Sequence, residues 1–362
     1  MRFPEFSGEW DSFKLVELGK FIGGGTPSSS NLSFWTGSIP WISSSDIKED
    51  NINNISISRY ITEDAIEKSA TKYCPAPVIL IVSRVGVGKV ALSHTSLCTS
   101  QDFCNIIDIK CHPVFLSYNL LRTMKRKSRE VQGTSIKGIT SDELQKIRVF
   151  IPKNKDEQNK ISNLLTLLDE RIVTQNKIID KLQSLINGIA QNVARNNKPN
   201  IRLSECLECS SSTLQESDVC ENGTYPVYGA NGIVGYIDNY NTEKEAVYII
   251  KDGSGVGTVS YVTGKCSATG TLNTLQAKEG YSLQYLYYML KVFNFEPYKT
   301  GMAIPHIYFK DYGKAKIFCT SYTEQLKYVG LLSAIDNKLS AEQSILTDLS
   351  LQKQYLLRQM FI

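Results

Sequence analysis

Residues that could carry out a reaction are few and scattered in this sequence. Its three histidines, His94, His112 and His306, stand far apart. Cys206 and Cys209 have the spacing of half a zinc site, but no second cysteine pair or Cys–His pair follows at ligand spacing. An apolar packing role fits these two positions better, because they align with apolar residues of an earlier, similar segment. With so little general-base or metal-ligand material, we predict no catalytic residue, no metal and no cofactor in this chain.

Two glycine-rich segments resemble nucleotide-binding loops in composition but lack the required pattern. "SRVGVGKV" at 83–90 has Ser83 where a P-loop requires its first glycine and Val90 where it requires Ser or Thr. "FIGGGTP" at 21–27 does not form the dinucleotide-binding pattern. No Asn/Asp-Pro-Pro-Tyr stretch of the amino-methyltransferase type occurs either. These glycines are more typical of bulges, tight turns and close approach of two backbones.

The sequence contains two copies of one arrangement. "IPKNKDEQNKISNLLTLLDERI" at 151–172 shares its Glu-Gln pair, apolar ladder and later Asp with "FCTSYTEQLKYVGLLSAIDNKL" at 318–339. Upstream of each, "VILIVSRVGVGKVAL" at 78–92 is matched by "AVYIIKDGSGVGTVSYV" at 246–262. A repeat of this length is too long for a solenoid and right for a duplicated domain.

Each copy changes character along its length. Its first part is rich in Gly, Ser, Thr and Tyr, and its short β-branched runs, such as Val78–Val82 and Val247–Ile250, predict strands. Its last part has the composition of a long helix, with no proline between Pro152 and Pro199. We therefore predict an α+β fold in which two duplicated α/β domains are each followed by a long helix.

The helical parts have the apolar spacing of a coiled coil. A helix of about 40 residues is roughly 60 Å long, and alone it would expose its apolar seam. We predict that the two helices pair as an antiparallel coiled coil with pseudo-twofold symmetry, although periodicity alone leaves a dimerisation coil open. Two polar residues, Gln175 and Glu342, occupy the same layer of the seam in their two helices. Lys353 of the second helix stands where the first helix has Ile186. The apolar positions are Ile161, Leu165, Leu168, Ile172, Ile179, Leu182, Ile186 and Ile189 in one helix and Tyr328, Leu332, Ile335, Leu339, Leu346, Leu349 and Leu356 in the other.

Charge and cysteine content indicate the kind of binding partner and the cellular compartment. The formal net charge is +4, and the distribution is uneven, with +5 on residues 1–155 and −2 on residues 199–322. The first part favours a polyanion more than the third part does. Nine cysteines without a tight framework, no signal segment and no long apolar run predict a cytoplasmic protein.

The order of the motifs along the sequence resembles that of a known protein family. The segments "GGGTPSSS…FWTGSIPWISSSDI" (23–47), "GTSIKGIT" (133–140) and the Glu-Gln helix start are similar to a target-recognition domain of a type I restriction–modification specificity subunit. The second half resembles a second such domain with its own helix, although "CSSSTLQ" stands where the first copy has Gly-Gly-Thr-Pro. The resemblance places recognition domains at 1–155 and 199–322, and spacer helices at 156–198 and 323–362.

The resemblance implies a non-catalytic DNA reader. Each domain would bind one half of an asymmetric, bipartite double-stranded DNA target, and the helices would set the gap and dock two methyltransferase subunits. Restriction/translocase subunits would complete the complex, with S-adenosylmethionine, ATP and Mg²⁺ on those partners. Two alternatives stay open from the residues alone: a fragment of a restriction–methylation fusion enzyme, and a coiled-coil interaction protein with no DNA role.

Candidate DNA-contacting residues are cations and small hydroxyl side chains beside glycines. For "RTMKRKSR" (122–129) a phosphate-binding and a solvated helix face are both open, and Arg84 suits either guanine or a carboxylate. In the first copy the candidates are Ser83, Arg84, Lys89, Arg122, Lys125, Arg126, Lys127, Thr134, Ser135 and Lys137. In the second copy they are Lys251, Lys265, Lys299, His306, Tyr308 and Lys310.

The polar residues that recur at the start of both helices are candidates for partner docking. We expect them on the outward faces, where equivalent surfaces would meet the same partner twice. An acidic residue in a first turn also favours the helix dipole, which is a sufficient alternative reason for its presence. The residues are Glu157, Gln158, Asp169 and Glu170, with Glu324, Gln325 and Asp336 in the second copy.

Overall fold

A computed structural model describes residues 2–131 and 138–361. The chain divides into two compact units, and each is described by itself. Unit 1 consists of Met1–Gln175 together with Ile345–Ile362, and unit 2 is Asn176–Ser344. Each unit therefore contains part of both long helices.

Unit 1 is a mixed helix and sheet structure. Short 3-10 turns occupy Leu32–Trp35 and Ser44–Asp46. Its strands and helices, in chain order, are β1 (Asp11–Lys14), α1 (Leu15–Leu18), β2 (Lys20–Gly23), β3 (Ile39–Ile42), β4 (Arg59–Ile61), α2 (Glu63–Glu67), β5 (Tyr73–Cys74), β6 (Val78–Ile81), β7 (Val90–Ser93), β8 (Leu97–Thr99), β9 (Cys104–Ile107), α3 (Pro113–Val131), α4 (Ser141–Lys146), β10 (Arg148–Ile151) and the first half of α5 (Lys155–Arg195).

The strands of unit 1 form three small sheets. A four-stranded antiparallel sheet has the order β2-β9-β6-β7, and a second sheet has the order β4-β3-β8-β5 with β3 and β8 parallel. Strands β1 and β10 pair antiparallel beside the start of α5. Strands β6 and β7 are buried at every residue, which the β-branched and aliphatic composition of β6 and of the first three residues of β7 favours.

Unit 2 has its own strands and helices, with 3-10 turns at Glu216–Asp218 and Glu296–Tyr298. Besides the second half of α5, they are β11 (Ile201–Arg202), α6 (Leu203–Cys206), β12 (Leu207–Ser211), β13 (Tyr225–Gly229), β14 (Gly232–Ile237), β15 (Glu245–Ile250), β16 (Val259–Thr263), β17 (Ser267–Ala268), β18 (Leu272–Ala277), α7 (Leu283–Lys291), α8 (Phe309–Tyr312), β19 (Lys316–Ile317) and α9 (Tyr322–Gln359), whose last part belongs to unit 1.

The sheets of unit 2 repeat those of unit 1. The order β12-β18-β15-β16 corresponds to β2-β9-β6-β7, and β14-β13-β17 corresponds to β4-β3-β8, including the parallel pair. The antiparallel pair β11 and β19 matches β1 and β10. The predicted duplication and the mainly antiparallel α+β architecture are confirmed.

The two long helices are confirmed as a packed pair. They have 41 and 38 residues, and the predicted seam positions are buried or half-buried along both of them. The polar Gln175 and Glu342 are also buried, and Glu342 forms an ion pair of 2.5 Å with Lys338. Unit 1 holds the first half of α5 with the last part of α9, and unit 2 holds the complementary halves. This distribution fits an antiparallel pair.

In unit 1 the helices are part of the domain core. Ile161, Leu165 and Leu168 of α5 belong to the same apolar cluster as Leu356 of α9 and Phe115 of α3. In unit 1 the long helices are therefore not separate from the domain but belong to its core. Each helix has one apolar face for its partner helix and a second face for the domain.

Candidate nucleic-acid interface

Three glycine-bearing segments of unit 1 meet at one cleft of about 820 Å³. It is lined by Gly23 and Gly24 at the end of β2, by the loop after β6, and by the segment that leads into α4. A Cβ atom on Gly24 would lie 2.0 Å from the carbonyl oxygen of Ser100, and one on Gly138 would lie 2.5 Å from that of Ser83. Glycine is therefore needed for the close approach of these backbones.

The cleft presents polar groups to solvent. Arg84 and Gln101 line it and are exposed, and Thr26 donates a hydrogen bond to the Gln101 amide oxygen. Arg84 offers a planar fork of donors suited to a guanine edge. Thr140 lies at the rim, where its hydroxyl caps α4 by accepting from the Glu143 backbone N–H. The arrangement suits contact with a polar surface.

Two of the predicted contact residues beside this cleft have internal roles. Ser83 is buried, and its hydroxyl donates to the carbonyl oxygen of Asp102 at 3.1 Å. Lys89 is half-buried, and its Nζ donates to the carbonyl oxygen of Ser44 at 3.2 Å. The Ser83 hydroxyl thus joins two loops inside the domain, and a contact of Ser83 with DNA stays a prediction. Thr134, Ser135 and Lys137 lie outside the described residues.

A second concave site of unit 1 collects positive charge. It has a volume of about 320 Å³ and lies between α3 and the end of α9. The predicted cations lie at i, i+3 and i+4 on α3, a spacing that brings side chains to one face. Arg129, the last cation of the segment 122–129, lies at i+7 and also lines the site, whereas sequence analysis missed Arg358. We call this group the cation pocket; its charged lining residues are Arg122, Lys125, Arg126, Arg129 and Arg358.

The cations of this pocket repel one another. Burial lowers the pKa of Arg122, and the neighbouring Arg126 lowers it further. Burial also lowers the pKa of Lys125, and Lys353 adds to the effect, although Lys125 forms an ion pair with Asp50. An anion in the pocket would relieve this repulsion. Lys127 is half-buried and does not line the pocket.

The predicted contact residues of unit 2 fall into separate places. Lys251 and His306 both face Asp252, at 3.7 Å and 2.6 Å. Lys299 forms a 2.6 Å ion pair with Glu296. These carboxylates reduce the local positive charge, in keeping with the negative balance of this part of the sequence.

Two further lysines of unit 2 lie over exposed aromatic rings. Lys265 lies 4.6 Å from the ring centre of Tyr240 and 5.9 Å from that of Tyr225. Lys310 lies 5.2 Å from the ring centre of Tyr308, and both side chains are exposed. Pairs of this kind present an ammonium group for phosphate and a ring for stacking.

The helix-start residues do not all face outward as expected. Glu157, Gln158, Asp169 and Gln325 are buried, and their predicted exposure is wrong. Asp336 is half-buried, and only Glu170 and Glu324 of the seven are exposed. The physical reason is that the buried members bond to groups of their own domain.

The two glutamines make the same connection in both units. Gln158 accepts from the backbone N–H of His112 at 3.1 Å and donates to the carbonyl oxygen of Pro152 at 2.8 Å. Gln325 accepts from the backbone N–H of Ser282 at 2.8 Å and donates to the carbonyl oxygen of Thr320 at 2.8 Å. Each glutamine therefore ties the start of a long helix to the start of the domain helix, α3 or α7. Glu157 has a different role, accepting from Arg2 and from the Trp10 indole.

The two aspartates also hold the domain helix. Tyr118 of α3 donates to Asp169 at 2.8 Å, and Tyr288 of α7 donates to Asp336 at 3.0 Å. In unit 1 only, a buried lysine, Lys353 of α9, pairs with the aspartate. Burial raises the pKa of Asp169 and lowers that of Lys353, each effect being opposed by the other residue's charge.

Potential metal ligands do not assemble in the described part of the chain. Within residues 2–131 and 138–361 no group of three or more His, Cys, Asp or Glu side chains is placed to hold a metal ion. Burial raises the pKa of Cys206 to about 12 and that of Cys209 to about 11, which disfavours the thiolate form that metals bind. Among the described residues, no helix has the length and apolar character needed to cross a membrane.

Comparison with known families identifies the origin of this architecture. The family model for the type I restriction modification DNA specificity domain matches residues 7–184 and again residues 199–350. The chain belongs to the type I restriction–modification specificity family. Both copies of the duplicated arrangement are thus instances of one DNA specificity domain.

Related specificity subunits match different parts of the chain. The MjaIX subunit of Methanocaldococcus jannaschii is 33% identical over 186 residues, covering 48% of this chain and 42% of that protein. The EcoR124I/EcoR124II subunit of Escherichia coli is 32% identical over 203 residues, or 54% and 46% of the two chains. The chain thus spans less than half the length of either relative in these matches. The EcoprrI subunit of Escherichia coli is 23% identical over 91% of this chain and 87% of its own length.

A solved structure supports the fold of the whole chain. The S subunit of a type I restriction–modification system from M. genitalium has a TM-score of 0.67 at 20% identity, covering 100% of this chain and 99% of that one. At this identity the similarity concerns the fold alone. Its coverage of the whole chain agrees with the two matches of the family model, which together extend from residue 7 to residue 350.

Proposed function

We propose that unit 1 and unit 2 each bind one half of a bipartite, asymmetric duplex target, and that partner subunits perform the chemistry. The observation that carries this proposal is the repetition of one sheet topology with different surface residues. A retained scaffold with divergent loops suits two half-sites of different sequence. Half-sites one helical turn apart on one face of B-DNA are about 34 Å apart.

In unit 1, Arg84 is the candidate for reading a base. It is exposed in the glycine-lined cleft, where two backbones approach closely and leave a defined surface. Replacing Arg84 with alanine should relax the preference at one base pair of one half-site by about 1–3 kcal/mol. Arg84→Lys is the matched control for charge, since lysine keeps the positive charge but loses the bidentate fork. If both variants methylate the unchanged motif, Arg84 does not read it.

The cation pocket is the candidate for binding a DNA phosphate. Arg126, Arg129 and Arg358 are exposed and converge on a cavity of suitable size. Phosphate contacts contribute to affinity in a salt-dependent manner and carry no sequence information directly. Arg126→Gln should weaken binding to all duplexes alike and make the logarithmic salt dependence shallower by about 1. A change in the methylated motif instead would show that this residue reads sequence.

Docking of two methyltransferase subunits is proposed for the exposed parts of the long helices. Glu170 and Glu324 remain as exposed candidates, and Ile178 and Leu185 are exposed seven residues apart on α5. That spacing places the two apolar side chains on one face. S-adenosylmethionine, ATP and Mg²⁺ would bind the methyltransferase and restriction/translocase subunits. Ile178→Asp combined with Leu185→Asp should abolish co-purification with the methyltransferase subunit while the thermal unfolding midpoint is unchanged.

Methylome sequencing tests the proposal as a whole. Cells that express this chain with its methyltransferase subunit should show one bipartite motif, and purified chain with methyl donor and duplex should leave every adenine unmethylated. Lengthening both long helices by one heptad should change the gap within the motif and leave its bases unchanged. Methylation by the purified chain alone would overturn the assignment of the chemistry to partners.

A further inference from the structure

A short hairpin of unit 2 exposes two large apolar side chains. It spans residues 300–306 between the 3-10 turn at Glu296–Tyr298 and α8. Met302 is fully exposed and Ile304 is more than half exposed. Single exposed apolar residues are ordinary on protein surfaces. Two at the end of one hairpin need a further explanation.

The hairpin is fixed in its conformation. The backbone N–H of Thr300 donates to His306 at 2.9 Å, and the N–H of His306 donates to Thr300 at 2.8 Å. Gly301 has a φ of +87°, and a Cβ at this position would lie 2.4 Å from the carbonyl oxygen of Ile304. A side chain at position 301 is therefore excluded, and the tip keeps one compact shape.

The base of the hairpin is joined to the loop after β15. The N–H of Gly253 donates to the carbonyl oxygen of Pro305 at 3.0 Å, and the N–H of Ile307 donates to that of Lys251 at 3.0 Å. His306 adds a side-chain contact with Asp252 at 2.6 Å. These bonds reduce the entropy that the hairpin would lose on binding, so its apolar tip is already organised for a partner.

The neighbouring residues indicate which partner the tip meets. Lys310 is exposed and lies over the ring of Tyr308 just after the hairpin, and Lys299, which is paired with Glu296, precedes it. Apolar side chains flanked by amines suit a nucleic acid, whose stacked bases are apolar and whose phosphates are anionic. The hairpin also lies within residues 199–350, which match the DNA specificity domain.

We propose that this hairpin is a wedge that enters a bound DNA duplex and inserts Met302 between two base pairs. Apolar side chains inserted in this way unstack a base step and bend the duplex. Unit 2 would thereby distinguish sequences by how readily a step is unstacked, in addition to contacts with base edges. The inference rests on the proposed function, since it assumes that unit 2 binds one half of the target.

The test uses the full chain in complex with its methyltransferase subunits and the motif obtained by methylome sequencing. 2-Aminopurine replaces the adenines of each half-site in turn, because its fluorescence rises when it is unstacked. Met302→Ala removes the wedge, and Met302→Leu keeps its apolar volume. Leu32→Ala is the matched control, since Leu32 is 77% exposed but belongs to unit 1.

Wild-type complex and Met302→Leu should raise the fluorescence at one position of one half-site, as should Leu32→Ala. Met302→Ala should lose this signal and raise the Kd about tenfold, the size expected when one buried apolar side chain is lost. Equal fluorescence and a Kd within about twofold for wild type and Met302→Ala would overturn the wedge. Loss of methyltransferase co-purification in Met302→Ala, with DNA behaviour unchanged, would also overturn it by identifying a protein contact.

Failure of the proposed function has a different signature. If wild-type complex methylates no bipartite motif, the proposed function fails and the wedge fails with it. If the motif is methylated and only the fluorescence and affinity predictions fail, the wedge alone is wrong. Because Met302 is fully exposed, substitutions at this position should leave the thermal unfolding of the chain unchanged, which confirms that each variant is folded.

Discussion

The connection between domain and long helix is built twice in this chain, and at two positions unit 2 has a neutral residue where unit 1 has an ionisable one. In unit 1 the imidazole of His112 accepts from the N–H of Phe115 at the start of α3. In unit 2 the hydroxyl of Ser282 accepts from the N–H of Tyr285 at the start of α7. Both positions also donate their backbone N–H to a helix-start glutamine. The same geometry is thus reached with one cap that can take up a proton and one that cannot.

The aspartates extend this comparison. Asp169 is buried and pairs with Lys353, which also donates to the carbonyl oxygen of Asp50. Asp336 is only half-buried, and Ile186 stands at the seam position that corresponds to Lys353. The more a carboxylate is removed from water, the more it needs a cation beside it. The extent of burial therefore explains why unit 1 has a lysine in its seam.

The largest expected effect comes from removing that lysine. Lys353→Met should destabilise unit 1 by about 3–5 kcal/mol, because Asp169 then remains buried without its cation. Urea unfolding followed by hydrogen exchange of unit 1 peptides measures this effect. Adding Asp169→Asn to Lys353→Met should recover most of the loss, since no buried charge remains. A loss below about 1 kcal/mol for the single variant would show that Asp169 does not depend on this cation.

The glutamines should behave alike in the two units. Gln158→Ala and Gln325→Ala each leave a partly buried backbone donor and a carbonyl without their partner, which costs about 1–3 kcal/mol. Hydrogen exchange should rise at the start of α3 for the first variant and at the start of α7 for the second. Glu324→Ala is the control, because Glu324 is exposed. Unequal losses of stability for the two variants would show that the two connections are not equivalent.

A smaller, pH-dependent difference should separate the units. Burial lowers the pKa of His112 below its usual value of about 6.5. The unfolded chain therefore takes up this proton at higher pH than the folded chain does. His112 contributes its full stability above about pH 6.5, and this contribution falls as the pH drops through the folded pKa.

We expect unit 1 to lose about 1 kcal/mol through this residue on acidification, the usual contribution of a helix N-cap. Hydrogen exchange of α3 peptides at a series of pH values, corrected for intrinsic rates, measures the change. His112→Ser should remove this pH dependence in α3, and peptides of α7 should not show it in either protein. A similar acid response in α7 would mean that His112 is not its source.

Local patterns in the sequence predicted much of the fold. The seam residues repeat every three or four positions over about 40 residues, and this period specifies a helix with one apolar face whatever surrounds it. The duplication was visible as two similar segments in the same order. A second stripe was also present in α5, where Gln158, Ser162, Leu165 and Asp169 are spaced by four, three and four. Because three of these four residues are polar, their spacing alone does not indicate that this face of the helix is buried.

The candidate interface was less predictable. The sequence indicates Arg84, because it lies beside glycines, and the cations of α3, because they form one dense cluster. Arg358 joins Arg122 and Arg126 only because the end of α9 packs beside α3 in unit 1. The sequence neighbours of Ser83 do not indicate that its hydroxyl donates to the carbonyl oxygen of Asp102. Contacts between distant segments depend on packing, which no local spacing encodes.

The sequence by itself determined that one domain is present twice and that each copy continues into a long helix with an apolar seam. Only the tertiary structure decided that Gln158, Gln325 and Asp169 face inward, and that Asp169 meets a lysine from the far end of the chain. The reason is that helical periodicity gives the angle between residues around an axis, whereas the side that meets the domain depends on how the elements pack.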